Sequence, residues 1–182
     1  MRLPTVTAVA ITLLFAGFAN AAAPAGRATA CTTIIVVRHA EQTDPKETDP
    51  PLSEAGSARA KALAAALEHS GVQAIYVTQY KRTKDTAAPL AALLHLSVTE
   101  VPVDLTRLAE YAPLLAGRIL AEHPGGIVLV VGHSNTVPAI VEALGNVKIR
   151  AIERTEFDRL LVVMAGGKSC TNVIEAQYGH AP

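Results

Sequence analysis

The chain reads as apolar runs separated by polar stretches, and the period of each run predicts its element. "TTIIVV" at 32–37 is a continuous β-branched run, the pattern of a strand covered on both faces. "VQAIYVT" at 72–78 and "GGIVLVV" at 125–131 repeat it. Elsewhere the period lengthens to that of a helix: "SEAGSARAKALAAALEHSG" at 53–71 starts on a Ser cap, has an early Glu54 and stops at Gly71. Three more helices are predicted over 81–95, 105–123 and 136–145, with a local kink at Pro89 and with Pro138 in the first turn of the last. "LSVTEVPV" at 96–103 is a short strand or extended segment, and the tail at 156–179 offers two edge strands joined around "GGKS". "QTDPKETDPP" at 42–51 is polar and proline-rich, hence a loop. Strands alternating with helices argue an α/β domain, a three-layer α/β/α sandwich with a mostly parallel central sheet.

In such a sheet the ligand site lies at the carboxyl ends of the strands. The first strand runs into "RHAE" at 38–41, and the strand at 125–131 runs into "GHSN" at 132–135. A charge that ends a buried strand is costly unless something there needs it. If the two strands are neighbours, His39 and His133 face each other. Arg82, early in the helix that follows "AIYVT", falls at the same edge. Arg38, His39, Arg82 and His133 then make a compact cationic pocket without a matched set of acids, which suits a phosphoryl group. His69, His95, His123 and His180 lie at predicted helix ends or in the tail and receive no role.

Composition narrows the partners. Of 182 residues, 50% are hydrophobic and 18% charged, enough apolar material for one domain with a core. Lys plus Arg and Asp plus Glu both number 16, so no net field draws nucleic acid or an anionic membrane surface, and anion binding must be local. Met1 and Arg2 precede the uncharged stretch "LPTVTAVAITLLFAGFA", and "ANA" follows, the order of a secretory signal peptide cleaved after Ala21. The expected organisation is a signal peptide at 1–21, a small-residue connector at 22–30 and one domain at 31–182. The expected location is outside the cytoplasm, periplasmic or secreted, with membrane attachment only if the apolar segment is retained. In an exported protein Cys31 and Cys170 are either one disulfide closing nearly the whole domain or two free thiols, and spacing does not decide between them.

Four motifs in order carry a resemblance: "VRHAE" at 37–41, "PLSEAGSARA" at 51–60, "RTKDTA" at 82–87 and "VVGHSNTVP" at 130–138. Together they resemble the histidine phosphatase superfamily, with its phosphoglycerate-mutase-like fold, in a small exported member of the bacterial type. The resemblance implies that His39 attacks phosphorus and becomes a phosphohistidine that water hydrolyses. It implies that Arg38 and Arg82 clamp the phosphoryl oxygens, that His133, if protonated, donates to them, and that no metal or organic cofactor takes part. No H-x-H, H-E-x-x-H or Cys/His cluster suggests a metal. Gly132 is expected to leave room for close approach of backbone and ligand, and Glu41 to orient Arg38 or His39. The family's carboxylic acid for the leaving oxygen has no matching motif here. Asp104, at the turn before the third helix, is preferred over Glu100 and Glu110. Without such an acid, phosphohistidine or phosphoramidate substrates are favoured over alkyl phosphates. The short connection between the second helix and the strand at 125–131 leaves no room for a capping insertion, so the pocket should be shallow. The expected substrate is a phosphorylated small molecule or an envelope component. The other reading is a catalytically silent phosphate-binding or scaffolding protein on the same fold.

Overall fold

Thr32–Arg38 forms β1, Ala74–Val77 β2, Val98–Glu100 β3, Ile127–Gly132 β4, Arg159–Ala165 β5 and Asn172–Gln177 β6. The helices are α1 (Glu54–Leu67), α2 (Lys81–Leu93), α3 (Leu108–Glu122) and α4 (Thr136–Gly145), with a 3₁₀ turn at Leu105–Arg107. The computed structural model describes residues 31–44, 46–167 and 170–179; the expected signal peptide and connector lie outside the described residues.

The six strands form one sheet in the order β3-β2-β4-β1-β5-β6. β3, β2, β4 and β1 run parallel, and β5 and β6 add antiparallel at the edge. The β-branched runs produce this centre because both faces of β1, β2 and β4 are covered. Ile35, Val37, Ile75, Val77, Leu129 and Val131 pack under α1 and α2 through Leu63, Leu67 and Leu90. Ile34, Val36, Tyr76, Val128 and Val130 face α3 and α4 through Leu115, Ile119, Ile140 and Val141. This is the three-layer sandwich expected from the alternation of periods.

α1 begins where the Ser cap placed it, with Ser53 Oγ accepting from the Gly56 amide at 3.1 Å. α2 runs unbroken through Pro89. The predicted third helix is divided: Asp104 caps the 3₁₀ turn, and α3 starts only at Leu108.

The open question of the cysteines resolves as a disulfide between Cys31 and Cys170, with Cα atoms 5.4 Å apart. It ties the start of β1 to the segment joining β5 and β6. The closed loop spans a sequence separation of 139 residues, so the bond removes much of the unfolded chain's freedom. Reduction, or Cys31→Ser with Cys170→Ser, should lower unfolding free energy by about 3–5 kcal/mol. Urea melts with and without reductant check this, and superimposable curves would contradict it.

Candidate active site

The register of β1 on β4 sets the site. Arg38 lies opposite Gly132, so His39 and His133 both emerge one residue beyond paired strand ends, and the His39 amide donates to the Gly132 carbonyl at 2.9 Å. The two imidazole centroids are 5.3 Å apart, edge to face. Tyr80 lies 5.3 Å from the His133 ring and Phe157 6.2 Å from the His39 ring. Of the residues singled out in the sequence, Arg38, His39, Arg82 and His133 come together; the acids do not join them.

His39 has a fixed tautomer. Its Nδ1 is 2.8 Å from the Ala40 carbonyl, which can only accept, so Nδ1 carries the proton and Nε2 keeps its lone pair. The Ala40 amide in turn donates to Thr86 Oγ1 at 2.9 Å, and that hydroxyl donates to the Arg82 carbonyl at 2.6 Å. One threonine thus locks the loop after β1 to the first turns of α2.

His133 is fixed by two more threonines. Thr83 Oγ1 has carbonyl acceptors at Tyr80 (2.8 Å) and Thr78 (3.1 Å), and these take its only proton. The Thr78–Thr83 hydroxyl contact at 3.0 Å then needs the Thr78 proton, which leaves Thr78 Oγ1 to accept from His133 Nε2 at 2.9 Å. Nε2 of His133 therefore carries hydrogen, and Nδ1 is the nitrogen open to a ligand proton. The His133 amide donates to Thr136 Oγ1 at 2.8 Å, at the start of α4.

Both imidazoles resist protonation. Burial, with Arg38 and Arg82 nearby, pushes His39 down to about 4, against the raising effect of its bond to the Ala40 carbonyl. Burial, then the neighbouring His39 and the two arginines, pushes His133 to about 3. The resting site is a pair of neutral imidazoles, so the condition on His133 is explicit: it can donate to an oxygen only after taking a proton from the ligand or solvent. Positive charge comes from the arginines. Desolvation brings Arg38 to about 10 and also lowers Arg82, yet both remain cations near neutrality.

The guanidiniums are held in different ways. Arg38 Nη1 donates to the carbonyls of Glu153 (2.9 Å), Arg154 (3.1 Å) and Glu156 (2.9 Å), and its plane lies 3.9 Å over the Phe157 ring. Arg82 stacks 4.3 Å over Tyr80 and lies 3.8 Å from Asp49. Nε of each arginine is buried without a hydrogen-bond partner among the described residues. Two guanidiniums beside two neutral imidazoles fit a tetrahedral oxyanion.

Other expectations move. Glu41 is bound to Arg59 of α1 rather than to Arg38 or His39, with contacts of 2.7, 2.9 and 3.0 Å. Gly56 makes this approach possible, since a Cβ there would lie 2.0 Å from the Glu41 carbonyl oxygen. Gly132 makes room for Thr136 Oγ1, 2.7 Å from where a Cβ would sit, so its role is packing of α4. Asp104 is exposed, accepts from the Thr106 amide and hydroxyl at 2.8 and 2.7 Å, and is thereby held below the usual carboxylate range. It lines a depression with Arg107, Glu110 and Tyr111, apart from the one beside Arg38. Glu100 pairs with Lys84 at 2.6 Å, and Glu110 with Arg107. No carboxylate among the described residues contacts either imidazole. Sequence reasoning missed the roles of Thr78, Thr83, Thr86, Arg59 and Phe157. Only the threonines left a trace, as polar residues closing an apolar strand and recurring three apart on α2.

The depressed histidines have a consequence for stability. Unfolded imidazoles bind protons below about 6.5 while the folded ones refuse them until about 4 or lower, so stability present above pH 6.5 is lost as pH falls towards 4. Replacing both, His39→Asn with His133→Asn, should flatten the fall in melting temperature between pH 6.5 and 4.5. An equal fall in the variant and the parent would contradict it.

The comparisons accord with this geometry. The family model described as histidine phosphatase superfamily, branch 1, matches residues 34–112, which contain Arg38, His39 and Arg82. No curated protein matches the chain. Among solved structures, native mycobacterial glucosyl-3-phosphoglycerate phosphatase superposes with TM-score 0.63 at 16% identity, over 81% of this chain and 98% of its own. Bacillus stearothermophilus YhfR gives 0.61 at 16%, over 80% and 96%. Entamoeba histolytica phosphoserine phosphatase, a mutant bound to phosphoserine, gives 0.59 at 11%, over 82% and 98%. At these identities the likeness is one of fold. His39 and its arginines fall inside the stretch that matches the histidine phosphatase superfamily model, and His133 completes the site from β4 on a fold shared with solved phosphatases.

Proposed function

We propose that this protein, a phosphatase by its family, works through a phosphohistidine on His39 and needs no metal ion. The observation that carries this is the tautomer of His39: Nδ1–H on the Ala40 carbonyl leaves Nε2 unprotonated and beside two guanidiniums. Nε2 attacks phosphorus, and the bond to the leaving oxygen breaks as the new P–N bond forms. Arg38 and Arg82, the cations beside His39, offset the charge on the phosphoryl oxygens. Nδ1 of His133 takes the proton of a monoanionic phosphoryl group and, as imidazolium, hydrogen-bonds the same oxygen. Water then attacks the phosphohistidine, releasing inorganic phosphate and restoring the Nε2 lone pair.

Because the contacts of Asp104, Glu100 and Glu110 hold them in capping and surface pairs, the leaving oxygen receives little help from a carboxylic acid. Good leaving groups follow as the preferred substrates: aryl phosphates and phosphoramidates, the latter including phosphohistidine. The working location is proposed to be outside the cytoplasm. The Cys31–Cys170 disulfide supports an oxidising compartment, and the charged-apolar-small order of residues 1–21 supports export.

An aryl phosphate assay with EDTA present tests the route. Turnover should persist in EDTA and fall at least ~10³-fold in His39→Ala. Aryl phosphates should exceed alkyl phosphates in kcat/KM by about 10² or more, the usual contribution of a missing general acid. Loss of turnover in EDTA would sink the metal-free route. Phosphate binding without turnover of any ester would leave the silent anion-binding reading.

A further inference from the structure

One helix carries a face that the core does not use. α3 buries Tyr111, Ala112, Leu115, Ala116 and Ile119, while Glu110, Leu114, Gly117, Arg118 and Ala121 are exposed. At about 100° per residue those five fall on one side of the helix. Leu114 is 70% exposed, more than any other large hydrophobic side chain among the described residues. Beside it lies a depression of about 200 Å³, lined by Pro102, Asp104, Arg107, Glu110, Tyr111 and Leu114 itself. A protruding leucine on the rim of a hollow that can hold a leucine makes a surface complementary to itself. Gly117 lies one turn further on. A Cβ there would meet nothing within 4 Å, so no neighbour in the chain requires glycine. Glycine weakens a helix interior relative to alanine, and nothing within the chain compensates for it here.

The charges on either side of Leu114 are ordered. Arg107 and Glu110 precede it and pair with each other; Arg118 and Glu122 follow it and pair at 2.9 Å. Glu122 is held further by the Tyr76 hydroxyl at 2.6 Å. From Leu114 outwards the signs run negative then positive in one direction, and positive then negative in the other. Two antiparallel copies of α3 crossing at Leu114 therefore set Glu110 of each against Arg118 of the other, and Arg107 against Glu122. A parallel pairing in register would set each charge against its own kind, which is repulsive. The 15 residues of α3 span about 22 Å, so an antiparallel pairing buries on the order of 1,000 Å² in total, the lower end for a specific interface.

We infer that this face binds a second copy of the chain, forming a two-fold dimer in which antiparallel α3 helices cross at Leu114. Each Leu114 enters the hollow beside Tyr111 of the other copy, and Gly117 and Ala121 allow the helices to approach closely. A two-fold axis is what a self-complementary patch requires. The pairing is independent of the chemistry at His39, so either can fail without the other.

Sedimentation velocity on the purified protein tests the interface through charge reversals. The parent should dimerise with a Kd on the order of 10 µM, the strength of a small interface. Arg118→Glu alone creates two like-charge contacts across the axis and should weaken association by at least about tenfold, as should Glu110→Arg alone. An equimolar mixture of the two variants restores both opposite-charge contacts in the mixed dimer, whose Kd should return to within about threefold of the parent. Gly117→Gln should raise the melting temperature of dilute protein while weakening dimerisation, since it favours the helix and fills the crossing point. Far-UV circular dichroism matching the parent establishes that each variant is folded. A parent that stays monomeric at ~0.5 mM, far above the expected Kd, overturns the dimer. A dimer that neither reversal nor Gly117→Gln weakens overturns the α3 interface and places association elsewhere on the chain. Reversals that dissociate the dimer singly but do not rescue each other in the mixture overturn the antiparallel register.

Discussion

Everything at this site follows from the parallel pairing of β1 with β4 in one register. With Arg38 opposite Gly132, the residues that follow each strand leave the sheet side by side, and the imidazoles of His39 and His133 meet at 5.3 Å. A slip of one residue would turn the alternating side chains of β1 to the wrong faces, exchanging the set that packs on α1 and α2 with the set that packs on α3 and α4. The two apolar layers therefore enforce the catalytic spacing. Stability of the core and geometry of the site are here one constraint.

Placing two imidazoles and two guanidiniums at a buried sheet edge sets their protonation. Like charges and desolvation both oppose further positive charge, so the histidines stay neutral while the arginines, with far higher proton affinity, keep theirs. Surrounding backbone and hydroxyl groups then select the tautomers. The Ala40 carbonyl orients His39, and the chain from His133 through Thr78 to Thr83 orients its partner. A turn more than a hundred residues away in sequence completes the pocket by cupping Arg38 with three carbonyls and a ring.

Much of this was legible in the sequence because β-branched runs and capped amphipathic stretches have few alternative readings. β1, β2, β4 and three of the four helices fall where the periods put them, the third losing its first turn to a 3₁₀ segment, and the four cationic and imidazole residues follow from two strand ends and the start of α2. Less legible were the contacts that cross between segments. Arg59 sits in "SARAKA" like any solvated helix residue, yet the carboxylate of Glu41 and the carbonyl of Tyr178 draw it into the interior. The stretch from Asn146 to Asp158 has no period, so nothing in it announces that its carbonyls hold Arg38. Asp104 shows a different ambiguity. A short acidic residue before a helix signals a cap, and the structure uses it as one, holding its carboxylate with Thr106.

The central claim is that Nε2 of His39 forms a covalent bond to phosphorus, and the direct measurement is rapid quenching of the enzyme in alkali during turnover of an aryl phosphate, followed by mass spectrometry of its peptides. A single phosphoryl adduct is expected on the peptide containing His39, stable in alkali, lost in acid, and absent from His39→Ala. Turnover with no adduct at any quench time, or an adduct on His133 instead, would contradict it.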